Sequence, residues 1–142
     1  MTMPTVYHRI FDRLNELVPH LSKTAEGSAF YGSPKQANDM AIYLQITKVN
    51  GNYMELEVTH GQVVHGEDQP APWMVFRVDF VNATAEILAV EDSFRYEIIY
   101  TPSNLVNPRR APMNLFALNW LTILYHTQSN FTPINLPMTV QD

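Results

Sequence analysis

The chain predicts an α+β fold, with an N-terminal helix, an antiparallel meander of about five strands and a C-terminal helix, both helices lying on one face of the sheet. Three observations carry this. Apolar residues recur at helical spacing near both ends, they alternate with polar residues through the middle, and Gly, Asn and Pro separate the alternating runs. A meander with one covered face satisfies that order with short connections.

The first helix is read from Val6, Ile10, Leu14, Leu17, Val18 and Leu21, with Arg9, Asp12, Arg13 and Glu16 on the other side. Pro4 suits its first turn. Pro19 lacks the N–H that another turn would use, so the helix ends near Val18. Residues 19 to 38 then mix Ser, Gly, Lys, Pro and Gln without periodicity and read as a long connection.

Met40, Ile42, Leu44 and Ile46 alternate along one run, and Met54, Leu56 and Val58 along the next, with Asn50-Gly51 between them. A two-residue turn centred on Asn50-Gly51 would set Ile46 against Glu55 and Leu44 against Glu57. A three-residue loop, Val49-Asn50-Gly51 with Gly51 left-handed, sets Ile46 against Met54, Leu44 against Leu56 and Ile42 against Val58, and is the expected form. After a loop over residues 61–72, Met74, Phe76, Val78 and Phe80 alternate with Arg77 and Asp79. Asn82 marks a turn, residues 85–90 return, and Phe94, Tyr96, Ile98 and Tyr100 give a fifth strand.

Pro108 or Pro112 opens the last helix, whose body runs from Met113 to Tyr125. On a helical wheel Asn114, Asn119 and Thr122 fall within about 140°, leaving an apolar surface wider than one sheet contact requires. From Ala111 to Gln141 there is no Lys, Arg, Asp or Glu. Residues 1–128 thus form a single domain and residues 129–142 an extended tail, with Ile134, Leu136, Met138 and Val140 at period two.

Composition excludes several classes of function. With no cysteine among 142 residues there is no thiol nucleophile, redox pair or cysteine-ligated zinc. A formal charge of −5 repels a phosphate backbone and disfavours nucleic acid. No apolar run approaches the ~20 residues of a membrane span, and His8 and Arg9 stand where a signal peptide needs its apolar stretch, so a cytoplasmic address is expected. No G-x-S-x-G, G-x-G-x-x-G or Walker sequence occurs, and no cofactor is expected.

Four constellations could carry chemistry or bind a ligand. His60, His65, Glu67 and Asp68 offer imidazole and carboxylate ligands from one loop and would serve a metal-dependent hydrolase, although an acidic solvated loop has the same composition. Arg77 and Glu86 fall on neighbouring strands within reach of each other, as an ion pair or as a grip on a ligand carboxylate. Arg109 and Arg110 precede a helix N-terminus, where free N–H groups already favour anions. Tyr96, Tyr100 and Trp73 could line a concave sheet that takes a small ligand.

In their order along the chain, several short motifs resemble the YqiB-like family of small proteobacterial proteins. Leu17-Val18-Pro19 is similar to that family's L-L-P, and Tyr53 stands at the tyrosine of its Y-T-T strand. The stretch from Pro72 to Arg77 resembles P-x-M-x-V-R, and Ala85-Glu86-Ile87 resembles A-E-V at the same spacing. Phe94, Tyr100 and Asn104 continue the register, and Asn114 with Trp120-Leu121 is similar to N-x-F-L-x-x-W-L. The resemblance spans about residues 7–125 and brings no activity with it. The chain departs from the family pattern where Phe80 and Val81 replace a His-Asp pair, and where Pro108 and Arg109 replace an acidic pair.

The expectation is therefore a non-catalytic protein-interaction module, a homodimer with a protein client as the variant partner. Trp120, Leu124, Phe131, Ile134, Leu136 and Met138 are its candidate interface, because large apolar surfaces on such proteins mark association.

Overall fold

A computed structural model describes residues 5–36, 41–59, 63–64, 67–68, 73–91, 96–129 and 131–134, and for residues 63, 64, 67 and 68 the backbone alone. The chain order is α1 (Val6–Leu17), a 3₁₀ turn (Leu21–Lys23), β1 (Ala29–Gly32), β2 (Ile42–Asn50), β3 (Tyr53–Thr59), β4 (Val63–Val64), β5 (Glu67–Asp68), β6 (Trp73–Asp79), β7 (Thr84–Glu91), β8 (Tyr96–Ile98), α2 (Arg110–Thr127) and β9 (Thr132–Ile134). Seven strands form one antiparallel sheet in the order β8-β7-β6-β3-β2-β1-β9, and β4 pairs with β5 in a separate ribbon. The α+β class and the two terminal helices match the sequence reading. The strand count exceeds the expected five because β1 and β9 add beside β2, both at the same edge of the sheet.

α1 begins at Thr5, whose hydroxyl accepts the His8 N–H, while the His8 ring accepts the Thr5 N–H. The two satisfy donors that the first helical turn leaves free. Its buried stripe of Ile10, Leu14 and Leu17 packs against α2 and β7. The inward face of the sheet supplies Ile42, Leu44, Ile46, Met54, Leu56, Val58, Met74, Phe76 and Val78 to the same core, so both helices cover one face.

The β2–β3 register corrects the expected three-residue loop. Asn50 pairs with Tyr53 across a two-residue turn, Gly51-Asn52, with Gly51 at φ 63°, which suits a II′ turn needing glycine in its first position. The odd residue is absorbed farther along the strand. Thr47 bulges out, its hydroxyl donates to the Glu55 carbonyl, and beyond it Ile46 pairs with Leu56 and Leu44 with Val58. The bulge restores the inward phase that the turn alone would have broken. Leu88 does the same on β7, where Phe76 pairs with Ile87 but Val75 pairs with Ala89. Ile87 and Val90 are therefore both buried.

Two stretches read from sequence as connection and tail are strands. Ala29–Gly32 pairs with β2, and Thr132–Ile134 pairs with β1 at the edge of the sheet. Pro133 is tolerated there because an edge strand has one row of N–H groups that need no partner. The crossover from α2 is tied to the end of β1, with the Gln128 side-chain amide donating to the Gly32 carbonyl at 2.8 Å and the Ser129 N–H to the Ser33 carbonyl at 2.7 Å. Phe131 fills the space over Gly32, where an added Cβ would stand 2.6 Å from the ring.

Candidate functional site

Pairing across β2, β3, β6 and β7 aligns Lys48, Glu55, Arg77 and Glu86 in one row on the sheet face opposite the helices. A neighbouring row on that face holds Asn50, Tyr53, Asp79 and Thr84. These rows floor a cleft of about 580 Å³, with Tyr7 of α1 and Arg110 of α2 on its lining.

Glu86 is the hub of the cleft. Arg77 Nη2 donates to its Oε2 at 2.9 Å, Tyr100 Oη donates to its Oε1 at 2.7 Å, and Arg110 Nε and Nη2 reach the same Oε1 at 3.3 Å. The Glu86 side chain is only 15% exposed, so these donors replace water that it has lost. Arg110 lies 4.8 Å from the Tyr7 ring centroid and 6.0 Å from that of Tyr100, and Arg77 lies 5.6 Å from Tyr100, all within cation–π range. Burial pushes the Tyr100 hydroxyl above its ordinary pKa, and the adjoining Glu86 carboxylate pushes it further. Burial is the strongest single influence on Arg110 and opposes its charge, but Glu86, Tyr100 and Tyr7 together outweigh it, so its pKa rises. Asp79 is lowered, chiefly by a hydrogen bond from the Asn82 side chain, with the Asn82 and Val81 N–H groups adding to it.

The sequence placed Arg77 beside Glu86, and the structure pairs them directly across β6 and β7. Arg109 and Arg110, the anion-binding candidates of the sequence, each already meet a carboxylate of the protein. They diverge, Arg109 to Glu97 at 3.0 Å and Arg110 to Glu86. The reason is electrostatic, since two cations at the positive end of α2 are each offset by a carboxylate of the sheet. Tyr7 was missed, and Tyr100, read from sequence as lining for a small ligand, was not placed on Glu86, because contacts between elements far apart in sequence leave no spacing signal.

His60 and His65 lie outside the described residues, and Glu67 with Asp68 forms β5, paired to β4. Among the described residues no group of three or more His, Asp or Glu is placed to hold a metal.

The interface candidates separate. Leu124 and Phe131 are buried in the protomer's own core, and Trp120 packs partly buried against it, so Leu124 and Phe131 are not free to meet a partner. Ile134 pairs with Ala29 in the same chain, and Leu136 and Met138 lie outside the described residues. The inference that a second surface must cover the tail therefore fails for Phe131 to Ile134, because the free edge of β1 covers it instead.

The outward face of α2 carries other residues: Leu115 at 49%, Phe116 at 44%, Ile123 at 56% and Tyr125 at 41% exposure. Sequence could not choose this face, because an almost uniformly apolar helix has no preferred inward side. Asn114, assigned to the polar side by the wheel, is fully buried.

Compared with protein-family models, with curated proteins and with solved structures, the chain matches none. Among the described residues no helix is long and apolar enough to cross a membrane.

Proposed function

We propose that the protein is a non-catalytic interaction module that pairs with a second copy of itself through the outward face of α2. The observation that carries this reading is the exposed stripe of Leu115, Phe116 and Ile123 on a helix without a charged side chain from Ala111 to Thr127. Such a stripe loses free energy in water and recovers it on contact, about 25 cal/mol for each Å² covered. A second copy suits it better than a charged partner. Around Asn119, also exposed, Leu115 and Ile123 stand four residues to either side, so a two-fold axis through Asn119 sets Leu115 against Ile123 of the second copy. It also sets one Asn119 amide against the other, and each amide both donates and accepts. The helix brings no like charges together, despite a chain charge of −5.

The retained motifs of the YqiB-like resemblance fit a scaffold role of this kind, since Met74 and Leu121 lie in the core and Arg77 pairs with Glu86. Light scattering over a dilution series is the test. A dimer that becomes a monomer in Leu115→Glu or Ile123→Glu is the expected result, and a wild-type chain that is monomeric at every concentration overturns the reading.

A further inference from the structure

We infer that the cleft floored by Lys48, Glu55 and Arg77 binds a free α-amino acid, its carboxylate on Arg77 and its ammonium on Glu55. Two of the cleft's three carboxylates are already engaged. Glu86 is engaged by Arg77, Arg110 and Tyr100, and Asp79 is held by Asn82 and Val81. Glu55 stands directly opposite both Lys48 and Arg77 in the ladders, yet among the described residues its carboxylate pairs with neither. Arg77 turns instead toward Glu86 and the Tyr100 ring, so its Nε and Nη1 donate to nothing among the described residues. The Lys48 ammonium has no partner there either and is exposed. The cleft thus offers one unused anion between two cations with donors to spare.

Charge decides the class of ligand. The lining cations Lys48, Arg77 and Arg110 are matched by Glu55, Asp79 and Glu86, so the cleft has no net sign. A phosphate or other dianion would be pressed against the unpaired Glu55 carboxylate. A simple amine would meet Arg77 and Lys48. An apolar ligand would strip water from all three and return nothing. Only a molecule carrying both signs close together satisfies Glu55 and Arg77 at once.

Residues paired on adjacent strands lie about 5 Å apart, which suits an ammonium and a carboxylate separated by a single carbon. The guanidinium donors of Arg77 match the planar carboxylate. Tyr53, 50% exposed and in the row next to Glu55 and Arg77, gives the ligand side chain an apolar wall. The cleft volume falls within the usual range for small-molecule sites, about 300–1,000 Å³. This site is floored by the sheet and does not include the outward face of α2, so it does not depend on pairing through that face.

The test is an NMR titration of the isotope-labelled full chain with each standard α-amino acid at millimolar concentration. Propionate and ethylamine, the two halves of alanine, serve as controls. At least one amino acid is expected to shift the amides of residues 48, 53, 55 and 77 saturably, while neither control does. Glu55→Gln, whose carboxylate holds no structural partner, should keep the wild-type spectrum elsewhere and weaken binding at least about tenfold, the equivalent of losing one charge-assisted hydrogen bond. Arg77→Lys should weaken it as well, by removing the planar fork. The inference is overturned if no amino acid shifts these amides, if propionate or ethylamine shifts them as strongly as the amino acid that binds, or if Glu55→Gln binds unchanged.

Discussion

The Asn114 Oδ1 accepts the Ile87 backbone N–H at 2.8 Å, and the amide of the same side chain donates to the Arg110 carbonyl at 2.9 Å. β8 pairs with β7 from Ala89 to Glu91 and the Ile99 N–H just beyond it reaches the Leu88 carbonyl, so the edge of β7 from Thr84 to Ile87 lacks a neighbouring strand. One buried side chain of α2 takes the place of that strand at Ile87. The helix is thereby fixed lengthwise against the sheet, and Arg110, one turn earlier, is brought within reach of Glu86. The polar hub of the cleft therefore depends on a buried amide on the other side of the sheet edge.

Replacing Asn114 with Leu should expose that dependence. The volume is nearly kept, but the Ile87 N–H loses its acceptor in a buried setting and the half-buried Arg110 carbonyl loses its side-chain donor, at a cost of about 1–3 kcal/mol. Urea unfolding should show a lower midpoint with the slope unchanged. The Tyr100 ring resonances should shift as α2 loses its anchor. A stability within error of wild type would mean that water or a small slide of the helix satisfies both groups.

The parts of the fold that were readable and those that were not divide on physical grounds. Alternation over seven to nine residues fixed β2, β3, β6 and β7, because a half-buried strand of that length cannot hide its period. Thr47 and Leu88 escaped notice, since a bulge changes the phase without changing composition. Ala29–Gly32 and Thr132–Ile134 are too short to show a period and become strands through each other and β2. In the cleft, Arg77 and Glu86 were readable as neighbours in one hairpin. Tyr7 and Arg110 were not readable as their neighbours, because only the packing of α1 and α2 brings them there, and Tyr100 follows β8 at no spacing that would set it beside Glu86.

Gly32 and Phe131 offer a second test, of how the edge strand β9 is held. An alanine Cβ at Gly32 would meet ring atoms of Phe131 at 2.6 and 2.7 Å, closer than real contacts allow. Gly32→Ala should therefore displace the ring and loosen β9, with a loss of about 1–3 kcal/mol, as overpacked cores usually show. Adding Phe131→Leu should recover part of that loss by making room for the methyl group. Thermal unfolding of both single variants and the double variant measures the coupling. Strictly additive effects would show that the ring does not press on Gly32.

The tyrosine at the hub gives the fold a definite response to alkali. The Tyr100 hydroxyl is raised above its ordinary value of 10.0, first by burial and then by the hydrogen bond and negative charge of Glu86. A raised value means that between the unfolded and folded pKa the native state holds a proton that the unfolded chain has released. Stability then falls with rising pH across that window, and the contribution is complete below pH 10. Above it the tyrosinate would face the Glu86 carboxylate across their 2.7 Å hydrogen bond, and only the guanidinium groups of Arg77 and Arg110 would soften the repulsion. Tyr43, raised by burial and by the neighbouring Tyr31, adds to the same slope, so Tyr100→Phe should flatten it without abolishing it. Urea midpoints measured from pH 8 upward, with tyrosinate absorbance read on the same samples, test this. A wild-type curve that stays level beyond pH 10, or a Tyr100→Phe curve as steep as wild type, would mean that the phenol leaves Glu86 before it ionises.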